Sequence, residues 1–393
     1  MSGTANEIRP FRIDVPEAAL DDLQRRLVAT RWPDELPGVG WDLGAPLAYV
    51  RELAERWAST YDWRTHEARL NKLPQYTTTI DGQNVYFLHV TSPESDALPL
   101  ILTHGWPGSI VEFLQVIGPL TDPRASAGEA ADAFHLVVPS VPGYGFSGPT
   151  TEAGWNPAHI ARAWAELMSR LGYRRYGAQG GDWGSGISRH LGMAVPERVL
   201  GVHVNALQLP TELDPILGSA GARPLAVLAA DLSLDERVRL DAGAQFLREG
   251  AAYGVLQSTR PQTLSYALTD SPVGQLAWIA EKFWEWSDPR CRPDRDLVLT
   301  NVMLYWLTRT SGSSARLYHE AASASRRGAP ATLAVPTGVA VFPYDIALPI
   351  RQFAERESNI VHWSEFDRGG HFAAMEVPDL LVSDIRAFFR SLR

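Results

Sequence analysis

One cysteine, Cys291, stands among 393 residues, so no disulfide can form within the chain. That count suits a reducing cytoplasm. No run of about 18 apolar residues occurs, which excludes a helical membrane anchor of ordinary length. Met1 to Pro10 lacks the basic-then-apolar pattern of a secretory signal. Lys and Arg are scattered, and the net charge of −9 argues against a nucleic-acid partner. There is no internal repeat and no low-complexity segment. What remains is ordinary for a globular protein with a real core: 45% hydrophobic and 21% charged residues. The expectation is a soluble, cytoplasmic protein.

The pattern along the chain changes three times, which predicts four segments. Residues 1–97 read as helical pieces and a hairpin. A helix opens at Pro16-Glu17, with Leu20, Leu23 and Leu27 on one face, and ends at Arg31-Trp32-Pro33. A second helix spans Pro46 to Thr60. Two strands, Tyr76 to Ile80 and Val85 to Val90, meet at Asp81-Gly82, a strong hairpin signal. Residues 98–209 alternate strand and helix: apolar runs Leu98 to Thr103, Phe134 to Val138 and Val199 to Val204, the more polar Arg175 to Gln179, and helices such as Pro157 to Leu171. Continuous apolar runs of this kind are buried parallel strands. Residues 210–331 lose the strands and accumulate Trp278, Trp284, Trp286 and Trp306, which reads as a helical cap inserted into the sheet domain. Residues 332–393 resume the rhythm with Gly338 to Phe342. The fold class is α/β, a mostly parallel sheet with helices on both faces.

Candidate chemistry lies just past the strands, where open α/β sheets bind ligands. Gly180-Gly181-Asp182-Trp183-Gly184 joins a strand to a helix in the manner of a hydrolase nucleophile elbow, with Asp182 where serine usually stands. An aspartate attacking an alkyl carbon leaves an ester that water can cleave, whereas serine would leave an ether. The elbow therefore points to epoxide opening or halide displacement. His104-Gly105-Trp106-Pro107-Gly108 follows the first apolar strand and can aim the Trp106 amide at a developing oxyanion. The Trp183 amide would be the second donor. His371, in Gly369-Gly370-His371-Phe372, comes last in chain order and suits a general base, with a pKa expected near an unperturbed ~6.5. Asp345 would orient it; Asp367 and Glu376 are alternatives placed too close to His371 in sequence. An epoxide oxygen also needs an acid above the nucleophile, and Tyr253, Tyr266, Tyr305 and Tyr318 are all candidates that spacing cannot separate.

Taken together, His104 to Ser109, Gly180 to Gly184, Asp270-Ser271-Pro272-Val273-Gly274 and Arg368 to Ala374 resemble the microsomal-type epoxide hydrolases, over nearly the whole chain from Arg9-Pro10-Phe11 onward. The resemblance implies an α/β-hydrolase fold with an N-terminal meander that wraps the core and packs near the cap. It implies Asp182 as nucleophile, His371 as base and Asp345 as orienting acid. It also selects Tyr253 and Tyr318 as the pair gripping the epoxide oxygen. No cofactor or metal is expected; the partners are an epoxide, aromatic or bulky given the cap tryptophans, and water. The sequence departs from many members in carrying aspartate rather than glutamate at 345, and it lacks the membrane-anchoring helix of some animal members. A homodimer is compatible with the chain, although no motif specifies one. A haloalkane or haloacid dehalogenase and a catalytically idle receptor or carrier are the rival readings. Detoxification, catabolism and natural-product biosynthesis all use the epoxide chemistry.

Overall fold

The computed structural model describes residues 7–126, 128–207, 229–325 and 332–393. Nine strands form one sheet in the order β1-β2-β3-β5-β4-β6-β7-β8-β9. The N-terminal part supplies β1 (Arg9–Pro10), β2 (Gln75–Ile80) and β3 (Gln83–Val90), paired antiparallel. Asp81 and Gly82, with φ of 48° and 76°, make the turn between the last two. This conformation is open to few residues besides Gly, Asn and Asp, which is why the dipeptide marked the hairpin.

The remaining strands are β4 (Leu98–Thr103), β5 (Phe134–Pro139), β6 (Tyr176–Gly180), β7 (Val199–Asn205), β8 (Leu333–Val341) and β9 (Ser358–Glu365), parallel to one another. Successive side chains of a strand face opposite sides of the sheet. Val202 of β7 meets Gly192 in the helix Trp183–Ala194, whereas the neighbouring Gly201 faces Phe388 of the terminal helix Pro378–Arg390. Helices thus cover both faces. After β4 the chain steps to β5 on one side, then returns to β6 on the other. The crevice at the carboxyl ends of β4 and β6 is a topological switch point, the place where such sheets bind ligands.

Before the parallel strands come α1 (Glu17–Val28), α2 (Leu47–Ser59) and α3 (Trp63–Leu70). α1 stops at Val28, short of the expected Arg31, and neither α3 nor the two-residue β1 stood out in the sequence. Between β7 and β8 the described chain is helical: Leu234–Glu249, Ala252–Thr259, Pro261–Asp270, Pro272–Glu285, Arg295–Thr308 and Ser311–Ser325. Leu209, Pro210 and Ala331, where the insertion was expected to begin and end, lie outside the described residues. The N-terminal helices pack against this helical part. Arg56 pairs with Asp296 through two bonds of 2.7 and 2.9 Å, and Trp41 stacks on Trp284 with ring centres 4.8 Å apart. Among the described residues no helix is long and apolar enough to cross a membrane.

Candidate active site

Asp182 occupies the turn from β6 into the helix Trp183–Ala194, with φ 51° and ψ −128°. A non-glycine residue held there is strained, and such strain persists only where the surroundings impose it. The imposing feature is close approach. A β-carbon on Gly184 would collide with the Thr103 carbonyl at the end of β4, and one on Gly105 would collide with the Asp182 carboxylate itself. The two loops can therefore nearly touch, and the Trp106 amide donates to Asp182 Oδ1 at 2.8 Å. Trp183 is the first residue of the helix, so its amide belongs to the group of N-terminal donors that helix hydrogen bonding leaves over.

The loop carrying Trp106 is held from both sides. His104 is buried; its Nε2 accepts the Val141 amide at 3.1 Å while Nδ1 faces the Gly105 carbonyl at 2.9 Å. Only a neutral imidazole protonated at Nδ1 fits both, and burial pulls its pKa down to about 4. From the opposite side, Asn301 Nδ2 donates to the Pro107 carbonyl and the Tyr305 hydroxyl to the Gly108 carbonyl, each at 2.7 Å. The Trp106-Pro107 peptide between these contacts is cis.

His371 meets Asp182 from the other end of the sheet. Its Nδ1 donates to Asp345 Oδ1 at 2.6 Å, and its Nε2 lies 3.5 Å from Asp182 Oδ2. Burial disfavours the imidazolium, but Asp345 and Asp182 on its two nitrogens outweigh burial and hold the pKa well above the ordinary value. The shift from the ordinary imidazole value expected for this residue is therefore upward, because both nitrogens face carboxylates. Asp367 is exposed, with its carbonyl bound by Arg290. Glu376 is buried away from the ring, accepting the amides of Phe372 and Asp288 at 2.8 and 2.7 Å. Neither competes with Asp345 for the ring.

Above the carboxylate stands an aromatic wall. Tyr253 stacks on Trp106 at 5.1 Å, Tyr318 meets the edge of Trp183 at 4.7 Å, and the two tyrosines lie 5.9 Å apart. Burial, together with Tyr253 and Asp182, raises the Tyr318 pKa well above its ordinary value, so the phenol keeps its proton. Its hydroxyl is buried beside the Trp183 indole, which is not placed to satisfy it, and has no partner of good geometry among the described residues. The other two candidates part from this pair: Tyr266 is 73% exposed, and Tyr305 is committed to the Gly108 carbonyl. Of the cap tryptophans, Trp286 joins the wall, against Tyr253 at 5.2 Å and His371 at 5.0 Å.

Three features escaped the sequence reading. Asp288, fully buried, accepts the Gly369 amide at 2.9 Å and pairs with Arg290 at 2.7 Å. The Trp286 carbonyl accepts the His371 amide at 2.8 Å. Glu112 lies against the loop that carries Trp106, where a β-carbon on Gly108 would meet it, and its carboxyl is pushed up to about 8 chiefly by burial. Only the Ser109-x-x-Glu112 spacing could have drawn notice to Glu112, and it reads as an ordinary helix cap.

An aspartate elbow, a paired histidine and a switch-point crevice define a hydrolase of the α/β class, and the model of the "alpha/beta hydrolase fold" matches residues 99–277. The model "Epoxide hydrolase N terminus" matches residues 8–113. A protein of Stigmatella aurantiaca (strain DW4/3-1), provisionally classed with the epoxide hydrolases, is 47% identical over 392 residues, covering 98% of this chain and 86% of its own. Epoxide hydrolase 1 of Sus scrofa is 36% identical, covering 97% and 88%. The solved structure of Aspergillus niger epoxide hydrolase superposes with a TM-score of 0.84 at 32% identity, covering 98% of this chain and 97% of that one. The chain belongs to the microsomal-type epoxide hydrolase family.

Proposed function

We propose that the protein is an epoxide hydrolase that works through an ester on Asp182. The observation that carries this reading is the strained Asp182 carboxylate, held by the Trp106 amide on one oxygen and facing His371 Nε2 with the other. Asp182 attacks an epoxide carbon; the carbon–oxygen bond breaks, and its oxygen takes a proton from the Tyr253 and Tyr318 pair. Once Asp182 is esterified its charge is gone and His371 loses one of the two carboxylates that favoured its proton. That proton returns to the phenolate, leaving a neutral imidazole. His371 then deprotonates a water that attacks the ester carbon, and the amides of Trp106 and Trp183 receive the oxyanion. Losing such a donor typically costs about 3 kcal/mol of barrier. The tetrahedral species collapses, the departing alkoxide takes the proton from His371, and a vicinal diol leaves. Asp182 emerges as an acid and gives its proton back to His371, which closes the cycle. The aromatic wall supports an epoxide with an aromatic or bulky substituent.

The test is mass spectrometry on His371→Gln mixed with aryl and alkyl epoxides and haloalkanes. An adduct of epoxide mass on the Asp182 peptide is expected, and none in Asp182→Asn. Adducts formed from haloalkanes alone would move the protein to the dehalogenases. Activity surviving the loss of both tyrosines would point the same way.

A further inference from the structure

Glu112 is an active-site carboxyl to which the mechanism above gives no task. It sits in the 3-10 turn Ile110–Gln115, where Ser109 Oγ accepts the Val111 amide at 3.2 Å. The amides of Ser109 and Gly105 both act on the Glu112 carboxyl. A contact with Ser109 is what a helix cap needs; the reach to Gly105 goes further, to the residue that abuts the Asp182 carboxylate. A β-carbon at Gly108 would fall on Glu112 Oε1, so the loop keeps a slot open for this carboxyl. Glu112 retains accessible surface although burial dominates its surroundings. Asp182, which Gly105 abuts, has a side chain that is 16% exposed.

We propose that Glu112 is the second acceptor for the hydrolytic water. His371 Nε2 takes one hydrogen of that water, the Glu112 carboxyl binds the other, and the free lone pair is aimed at the ester carbon. The proposal rests on Asp182 being the nucleophile. Charged and titratable groups surround Glu112. His371 favours its carboxylate form and Asp182 opposes it; Tyr305 faces it from the helix Arg295–Thr308; Glu376 lies on the short helix Ala373–Glu376 packed on the same turn. Esterification removes the Asp182 charge and, through the proton that His371 gives up, the imidazolium charge as well, so the two opposing influences on Glu112 vanish together. The carboxylate of Glu112 is the better acceptor for the second hydrogen of the water, and the carboxylic acid the weaker one.

The experiment is single-turnover quench-flow with a styrene-type epoxide, following ester formation and breakdown separately by mass spectrometry in wild type, Glu112→Gln and Glu112→Ala. Formation is expected to change less than about threefold, while breakdown falls at least about tenfold in both variants, and further in alanine, which keeps no acceptor. The pH profile of breakdown should lose one ionisation in Glu112→Gln. Equal losses in both steps, or wild-type breakdown, would overturn the proposal and leave Glu112 a helix cap. If neither variant folds, the wild-type profile decides, since a single ionisation, that of His371, contradicts it. Absence of any ester in wild type and His371→Gln would instead sink the underlying assignment of Asp182.

Discussion

At the scale of single residues, the charge state of His371 depends on its neighbours rather than on the imidazole. Asp345 and Asp182 face its two nitrogens at 2.6 and 3.5 Å and raise its pKa against the pull of burial. A histidine raised on folding contributes stability that is fully present below its unfolded pKa of about 6.5 and is lost as pH rises through the folded value. It also follows that a change at Asp182 is felt at His371. Asp182→Asn should lower the His371 pKa, because an adjacent opposite charge favours the protonated ring and is removed, read by nitrogen-15 titration of the imidazoles. An unchanged titration would mean that Asp345 alone holds the proton, and the proposed proton return to the tyrosine would lose its driving force.

Elements matter here chiefly where one holds another's loop. The segment Trp286 to Arg290, leaving the helix Pro272–Glu285, grips the histidine loop through the Trp286 carbonyl, the Asp288 carboxylate and Arg290, which donates to the Asp367 carbonyl at 2.7 Å. Arg290 and the backbone amides hold the Asp288 carboxyl far below the usual range despite its burial. Such a group stabilises above its unfolded pKa of about 4, and the contribution is lost as pH falls toward the folded value. Asp288→Ala, which orphans the Gly369 amide, should cost about 2 to 3 kcal/mol in urea unfolding at pH 7, with the deficit narrowing in acid; a deficit independent of pH would assign the loss to packing. The sequence could not announce this clamp, because Asp288 is 81 residues from Gly369 and its own neighbours read as a plain turn. The strands, the hairpin, the elbow, Asp345 and His371 were legible because each rests on a local rule: apolar runs, Asp-Gly, small residues around a nucleophile, position after a strand. Tyr253 and Tyr318 needed the family resemblance, since local spacing treats them no differently from Tyr266 and Tyr305. Glu112 stayed hidden because its pattern has a sufficient local meaning.

The whole molecule is joined more tightly than its succession of segments suggests. β1, β2 and β3 extend the same sheet as the parallel strands, through β3 against β5. One buried cluster runs from Ile13 and Trp57 in the N-terminal part, through Val302 to Tyr305 in the helical part, to Phe389. Trp57 is at the join, its indole N–H donating to the Met303 sulfur at 3.1 Å. A region that shares its core with its neighbours cannot melt while they stay folded, so thermal unfolding should be one transition, with calorimetry, far-ultraviolet dichroism and tryptophan fluorescence coincident. Trp57→Ala should cost about 3 to 5 kcal/mol and lower that transition without splitting it. The candidate active site makes this more than a matter of stability: Asn301 and Tyr305, which hold the loop carrying Trp106 through the Pro107 and Gly108 carbonyls, are on the helix that Trp57 packs against. Activity and structure should therefore disappear at the same temperature. An earlier, separate transition that takes activity with it while the sheet persists would show that the helical part and the N-terminal wrap form a unit of their own.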